Sequence, residues 1–399
     1  MTTVGEIILS DETGFPWNKA KLVESGVLHL RPFNISNDGQ LDLAQTYFVP
    51  VEAATEAKAS LVAGDVLFNN TNSVELVGKS ALVLSDTKAA FSNHITRIRV
   101  NASTVSPAYF NYWLRFEQAK GTFAAAATQW VSQAAFRASD MKRLEIPLPP
   151  LEEQHRIVDL LSRAEGIVRL RREAQRKAAE LLPTLFLDIF GDPASNPKGW
   201  PVVRIGDLGR VQLGRQRAPK YQTGKFTCPY VRVANVFEDR IDTNDLLSMD
   251  FDARDFTKYR LDYGDILLNE GQSIELVGRP AMWRNEVEDC CFQNTLVRFQ
   301  PNKEMLLPEF ALAAMLNYYR SGALSKISSK TSNVAHLGAS RFANMTLFTP
   351  PIALQRQFAA KADAIRAIAA QQTTALATAQ ATFDALLHQA FSRTRMMDK

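Results

Sequence analysis

Cysteine and histidine are both scarce in this chain. Among 399 residues there are three cysteines, Cys228, Cys290 and Cys291, too few and too badly spaced for a disulfide framework or a zinc cage. A reducing cytoplasm is the compartment that fits. The five histidines, at 29, 94, 155, 336 and 388, lie far apart and form no ligand pair. No run of eighteen apolar residues is present to span a membrane. The opening M-T-T-V-G-E-I-I-L-S-D-E has neither a basic region nor a long apolar segment, so no signal peptide is expected. Neither sign of charge dominates: 46 Lys and Arg stand against 42 Asp and Glu, and a net +4 with a pI near 8.9 permits a polyanion partner without requiring one.

Catalytic signatures are missing too. Residues 73–80 end as a phosphate-binding loop does, in Gly78-Lys79-Ser80, but Ser73 stands where a flexible glycine would have to wrap the phosphates. Glu56-Ala57-Lys58 has the E-x-K form of many metal-dependent nucleases, yet no aspartate follows a proline at a suitable distance. A DNA amino-methyltransferase needs Asn or Asp before Pro-Pro-aromatic to hold the extruded base. Pro149-Pro150-Leu151 and Pro350-Pro351-Ile352 have neither that polar residue nor the aromatic. No active site is expected in this chain.

What the chain does have is a repeat. From Pro149 to Gly191 runs one long helical pattern, opened by two prolines and with acidic residues in its first turn. Its ladder alternates steps of four and three: Ile157, Leu161, Ala164, Val168, Arg171, Gln175, Ala178, Leu182, Leu185 and Ile189. Adding 201, the offset between Pro149 and Pro350, gives Phe358, Ala362, Ile365, Ala369, Gln372, Leu376, Ala379, Phe383, Leu386 and Ala390. Both ladders are apolar at the ends and polar near the middle. A sustained 3.5-residue repeat predicts a supercoiled seam between the two helices, with Arg171 and Gln372 fixing register.

The repeat extends into the stretches before each helix. G-D-V-L-F-N at 64–69 matches G-D-I-L-L-N at 264–269, and S-V-E-L-V-G-K-S-A from Ser73 matches S-I-E-L-V-G-R-P-A from Ser273. Arg31, Asn34 and Arg97 pair with Arg232, Asn235 and Arg298. Each globular copy predicts mixed α and β: strands at Val27–Arg31, Val66–Asn69 and Ile95–Val100, a helix launched by Ser106-Pro107, and a short helix near Ala138–Lys142. The first copy has no sequence equivalent of Trp200-Pro201-Val202-Val203, so its start looks abbreviated. The expected class is α+β, with a globular domain over 1–148, a central helix over 149–191, a linker over 192–199, a second domain over 200–348, a distal helix over 349–391 and a tail over 392–399.

I-P-L-P-P-L-E-E-Q-H-R-I-V at 146–158, T-P-P-I-A-L-Q-R-Q-F at 349–358, G-D-x-L in each copy and the L-F-x-x-x-F-G-D-P ending at Leu185 to Pro193 together resemble the specificity subunit of type I restriction-modification systems. The resemblance covers essentially the whole chain. It implies a non-catalytic subunit whose two target recognition domains, separated by an antiparallel helix pair, read a bipartite asymmetric target in double-stranded DNA. It implies two docked methyltransferase subunits, with restriction subunits as further partners. S-adenosylmethionine, ATP and magnesium would then sit on those partners, and no cofactor on this chain. A different class of protein, a scaffold of a DNA-defence complex that does not read bases, is the alternative.

Copies that share a fold and read different half-sites should differ at their readers. One differing loop sets Asn70-Thr71-Asn72 against Glu270-Gly271-Gln272; Asn and Gln can each pair with adenine through two hydrogen bonds. The other sets Thr128-Gln129-Trp130-Val131-Ser132-Gln133 against Ser329-Lys330-Thr331-Ser332-Asn333-Val334. Any single residue here could be ordinary polar surface; the two loops as sets are the expected DNA contact. Lys79 and Arg279 share a position and a charge, which suits either a phosphate contact or a solvated cation at a strand end. The basic run Arg169, Arg171, Arg172, Arg176 and Lys177 suits either the DNA spacer or the solvated side of a helix pair.

Overall fold

The computed structural model describes residues 2–56, 60–218, 222–331 and 334–392. Ala57 and Lys58 of the E-x-K tripeptide, and nearly all of the expected tail, 393–399, lie outside the described residues. The chain divides into two compact units: residues 1–173 with 374–399, and residues 174–373. Each long helix contributes one half to each unit.

The first unit is built on a four-stranded antiparallel sheet in the order Ile8–Thr13, Ile95–Val100, Val66–Asn69, Ser80–Leu82. Val66–Asn69 is buried on both faces, which explains its unbroken apolar run. A three-stranded sheet, Phe48–Val49, Val27–Leu30, Ala89–Phe91, has one parallel pair. The helix Pro107–Ala119 begins at its proline as expected, though Ser106 makes no side-chain cap. Its aromatic face, Tyr109, Tyr112, Trp113 and Phe116, shares a core with Leu161 and Val168 of the central helix Leu151–Phe190 and with Phe383, Leu387 and Phe391 of the distal helix Ile352–Ser392.

The second unit has the same strand order in its four-stranded sheet: Gly209–Leu213, Leu296–Pro301, Ile266–Asn269, Pro280–Met282. Its three-stranded sheet runs Leu247–Asp250, Thr227–Val231, Cys291–Phe292, again with one parallel pair. Phe186 and Phe190 of the central helix and Phe358 and Ala362 of the distal helix close its core. Within this unit Gln175 Nε2 donates to Thr373 Oγ1 at 3.0 Å, and farther along Phe186 meets Phe358 with ring centroids 5.7 Å apart. The two helices therefore run in opposite directions as they pack.

Two expectations need correction. The first unit does have a counterpart to Val203-Arg204: Thr2–Thr3 pairs with Glu145–Ile146, as Val202–Arg204 pairs with Thr346–Phe348. The paired residues differ in identity, Thr2-Thr3 against Val203-Arg204, so sequence matching passes over them. Nor do the helices bury a narrow seam alone. The ladder positions are buried or half-buried except the exposed Arg171, but Gln154, Phe186 and Phe190, and likewise Gln355, Leu387 and Phe391, are buried on an adjoining flank. That flank faces the globular part of each unit, which a helix-to-helix repeat does not encode.

Gln154 explains why the helix start has its sequence. Its Oε1 accepts from the Ser106 backbone N–H at 2.8 Å, and its Nε2 donates to the Thr104 and Pro149 carbonyls at 3.0 and 2.8 Å. Gln355 repeats this with the Leu307 N–H at 2.9 Å and the Met305 and Pro350 carbonyls at 3.2 and 2.8 Å. One glutamine thus ties the start of a long helix to the start of the aromatic helix, satisfying an N–H that the helix start leaves open and two carbonyls just ahead of the helices.

Candidate nucleic-acid interface

The segment 69–79 turns back on itself. The Asn69 N–H donates to the Lys79 carbonyl at 2.8 Å, the Gly78 N–H donates to the Asn69 carbonyl at 2.9 Å, and the Leu76 and Val77 N–H groups both donate to Ser73. Gly78 takes φ +88°, and a Cβ there would stand 2.2 Å from Cδ2 of Phe123. Gly278, at φ +76°, is pressed in the same way by Leu324, with 2.7 Å to its Cβ. The glycine that ends the shared E-L-V-G sequence is therefore a backbone requirement, as scaffold should be.

This turn presents Thr71–Asn72 as an edge, and the structure uses that edge. Asn72 pairs with Ala134 and Thr71 with Ala135, while Ala134–Ala135 pairs in turn with Thr128–Gln129. The two candidate loops, far apart in sequence, form one three-stranded sheet. The second unit does the same: Gly271–Gln272 pairs with Val334–His336, which pairs with Ser329–Thr331. The stretch expected as a loop at 128–133 is a β-hairpin, its turn closed by the Trp130 N–H donating to the Gln133 carbonyl at 2.7 Å. Short polar strands with alanine at the pairing positions lack the branched residues that announce a strand.

Within this sheet the candidates take different places. Asn70 is half-buried and tied inward: its Nδ2 donates to Thr96 Oγ1 at 2.9 Å and its Oδ1 accepts from Thr71 Oγ1 at 2.8 Å. Glu270 is likewise engaged, with His336 Nδ1 at 3.1 Å. Asn72 and Gln272 each accept, at 2.8 and 3.1 Å, from the N–H of the serine that follows. Gln129, Trp130 and Gln133 are exposed along and at the tip of the hairpin, with Trp130 at 60% and Val131 beside it fully exposed. Lys330 is exposed on the matching hairpin of the second unit, near enough to Glu275 to help hold its carboxyl below the usual range, after the Glu275 backbone N–H and the Ser273 hydroxyl. Ser332 and Asn333 lie outside the described residues.

Lys79 and Arg279 are not on the hairpins. Lys79 Nζ donates to the Ile35 carbonyl, and burial pulls its pKa below the usual lysine range. The Arg279 guanidinium lies over the Phe237 ring at 4.9 Å. Of the basic run on the central helix, Arg172 pairs with Asp38 at 3.1 Å and Arg176 with Glu180 at 2.8 Å. What sequence reasoning missed is the alanine strand that joins the two loops.

Among the described residues no group of three His, Cys, Asp or Glu could hold a metal ion, and no helix is long and apolar enough to cross a membrane. Residues 37–180 match the family model described as type I restriction modification DNA specificity domain, a span that takes in both candidate loops and most of the central helix. The chain is 30% identical over 187 residues to the putative type I restriction enzyme MjaX specificity subunit of Methanocaldococcus jannaschii, covering 43% of this chain and 44% of that protein. These likenesses are to type I restriction-modification specificity subunits, over part of the chain. The chain spans less than half the length of the curated relatives it matches. In fold, likeness to solved structures runs further. The crystal structure of a type I system S subunit from M. genitalium aligns with a TM-score of 0.57 at 14% identity, over 98% of this chain and 95% of the other. A chain from a structure of type I R-M complex assembly and conformational transition aligns at 0.58 with 21% identity, over 98% and 96%.

Proposed function

We propose that this chain confers DNA-sequence specificity on a type I modification complex, reading a bipartite asymmetric target with one globular domain per half-site. The observation that carries the reading is the three-stranded sheet of each unit. Two sequence-distant loops share the same backbone pairing in both units, yet their exposed side chains differ: Gln129, Trp130 and Gln133 on one hairpin, Lys330 on the other. Equal scaffolds with unequal tips are what two half-sites of different sequence require, because phosphate contacts position a protein and base-edge contacts specify it.

In this reading the chain is a two-copy repeat with a pseudo-two-fold plan: recognition domains at 1–148 and 200–348, helices at 149–191 and 349–391, a linker at 192–199 and a tail from 392. The helices form an antiparallel coiled coil that docks two methyltransferase subunits, with restriction subunits as further partners. Leu160 and Ile167, seven residues apart on the central helix, are each about half exposed, at 50% and 52%, which supports an apolar contact for a partner on that face. S-adenosylmethionine, ATP and magnesium belong to the partners, and the chain itself performs no catalysis. DNA and those partners are met in the cytoplasm.

The test is methylation mapping of DNA from cells expressing the whole complex. Exchanging Gln129, Trp130 and Gln133 for other residues should alter bases in one half-site and leave the other unchanged. Methylation that ignores these substitutions in both half-sites would favour a scaffold that does not read bases.

A further inference from the structure

We propose that Trp130 and Val131 form an apolar wedge that enters the base stack at the first half-site, an inference that rests on the DNA-reading function above. The hairpin is a stalk with a hard root. Ala134 is fully buried, and Phe136 just beyond it packs edge-on against Phe68 and Phe123 with ring centroids 6.0 and 5.0 Å apart. The stalk is short, two residues per strand, and its turn is closed by the Trp130–Gln133 hydrogen bond. Such a hairpin cannot fold its tip back into its own core. It nevertheless leaves an indole and an isopropyl group in solvent, on successive residues of its turn.

A convex tip two residues wide matches the opening between neighbouring base pairs, and an indole face stacks on any base. Apolar side chains inserted between base steps unstack and kink the duplex, most readily at flexible pyrimidine–purine steps. Polar neighbours suit the same site: Gln129 and Gln133 flank the wedge and are exposed. The sequence of the other hairpin, Ser329-Lys330-Thr331-Ser332-Asn333-Val334, has at positions 331 and 332 two small hydroxyl residues in place of Trp130 and Val131. The two half-sites are therefore read differently in kind. The first includes a step chosen for deformability, and the second does not.

The experiment uses the full-length chain assembled with its methyltransferase subunits on the mapped target, with 2-aminopurine placed at successive positions of the first half-site. Wild-type complex should brighten the probe at one step besides the base that the methyltransferase extrudes. Trp130→Ala should abolish the brightening at that step alone and weaken binding roughly tenfold, within the range of aromatic–base stacking. Trp130→Phe should retain both. Brightening that survives Trp130→Ala would overturn the wedge, as would target-selective binding in which no such step brightens. A Trp130→Ala chain that assembles poorly with the methyltransferase in the absence of DNA would show a protein contact instead, and also overturn it. Binding that does not discriminate target from random duplex would overturn the specificity function along with the wedge.

Discussion

Replacing Gln154 with alanine should loosen the first unit where the central helix begins. Gln154 is fully buried and makes three hydrogen bonds to backbone groups, two in the segment that its helix docks against and one just ahead of its own first turn. Alanine leaves the buried Ser106 N–H without its acceptor and the Thr104 and Pro149 carbonyls without this donor. An unsatisfied buried group costs about 1–3 kcal/mol, less for a carbonyl than for an N–H, so the three together with the lost packing should cost about 3–5 kcal/mol. Gln154→Glu keeps the acceptor for Ser106 but sets a carboxylate against two carbonyl oxygens, so it should not rescue. Native-state hydrogen exchange reads this locally: the Ser106 amide and the first turns of the central helix should lose protection, while the second unit, held by Gln355, keeps its own. A Ser106 amide still fully protected in Gln154→Ala, or a stability change below about 1 kcal/mol, would refute the argument.

Gly78→Ala combines a left-handed backbone with a Cβ 2.2 Å from Phe123, so it should destabilise the first unit by about 3 kcal/mol and expose the hairpin to proteolysis; a wild-type melting temperature would contradict this. His29 is held to about 4 by burial, with the Arg31 charge adding, so the folded unit prefers the neutral ring. Its contribution is complete above the ordinary value of 6.5 and lost as the pH falls from there towards 4, and denaturation of His29→Phe across that window should show a flatter pH profile than wild type. A fragment of residues 1–195 should form a homodimer weaker than the intact chain's internal pairing. At the 201-residue offset, Leu182, Phe186 and Phe190 of one copy correspond to Phe383, Leu387 and Phe391, which close the core of the first unit. Arg171→Gln should tighten that dimer by removing a like-charge meeting at its centre. A fragment that sediments as a monomer at tens of micromolar, with or without Arg171→Gln, would show that the distal helix supplies something its counterpart cannot.

The repeat, the long helices with their proline starts, and the strands at Val27–Leu30, Val66–Asn69 and Ile95–Val100 could be read from residue order, whereas Ile8–Thr13 and Ser80–Leu82 of the four-stranded sheet could not. The legible features rest on local chemistry: a proline at a first helical turn, a buried apolar strand, a 3.5-residue ladder whose positions did prove buried or half-buried apart from Arg171. Asn34 and Asn235, matched by sequence alone, indeed play one role, each accepting from the N–H of its paired arginine and donating to two carbonyls farther on. Such features need only near neighbours to be legible.

Only the tertiary structure brought residues 70–72 and 128–135 into one sheet, because the joining strand Ala134–Ala135 has no side-chain pattern of its own. It also separated residues that sequence had grouped. Asn70 and Glu270 are tied inward and Lys79 is held by a carbonyl, whereas Trp130, Gln133 and Lys330 stand clear. Charge and hydrogen-bonding capacity are properties of a residue type, but whether they remain available depends on what the fold sets within 3 Å. Two glutamines make the point from the other side: Gln154 lies on an otherwise polar helix start, and burial against two backbone segments turns it into the clasp of the first unit, as it does Gln355 in the second.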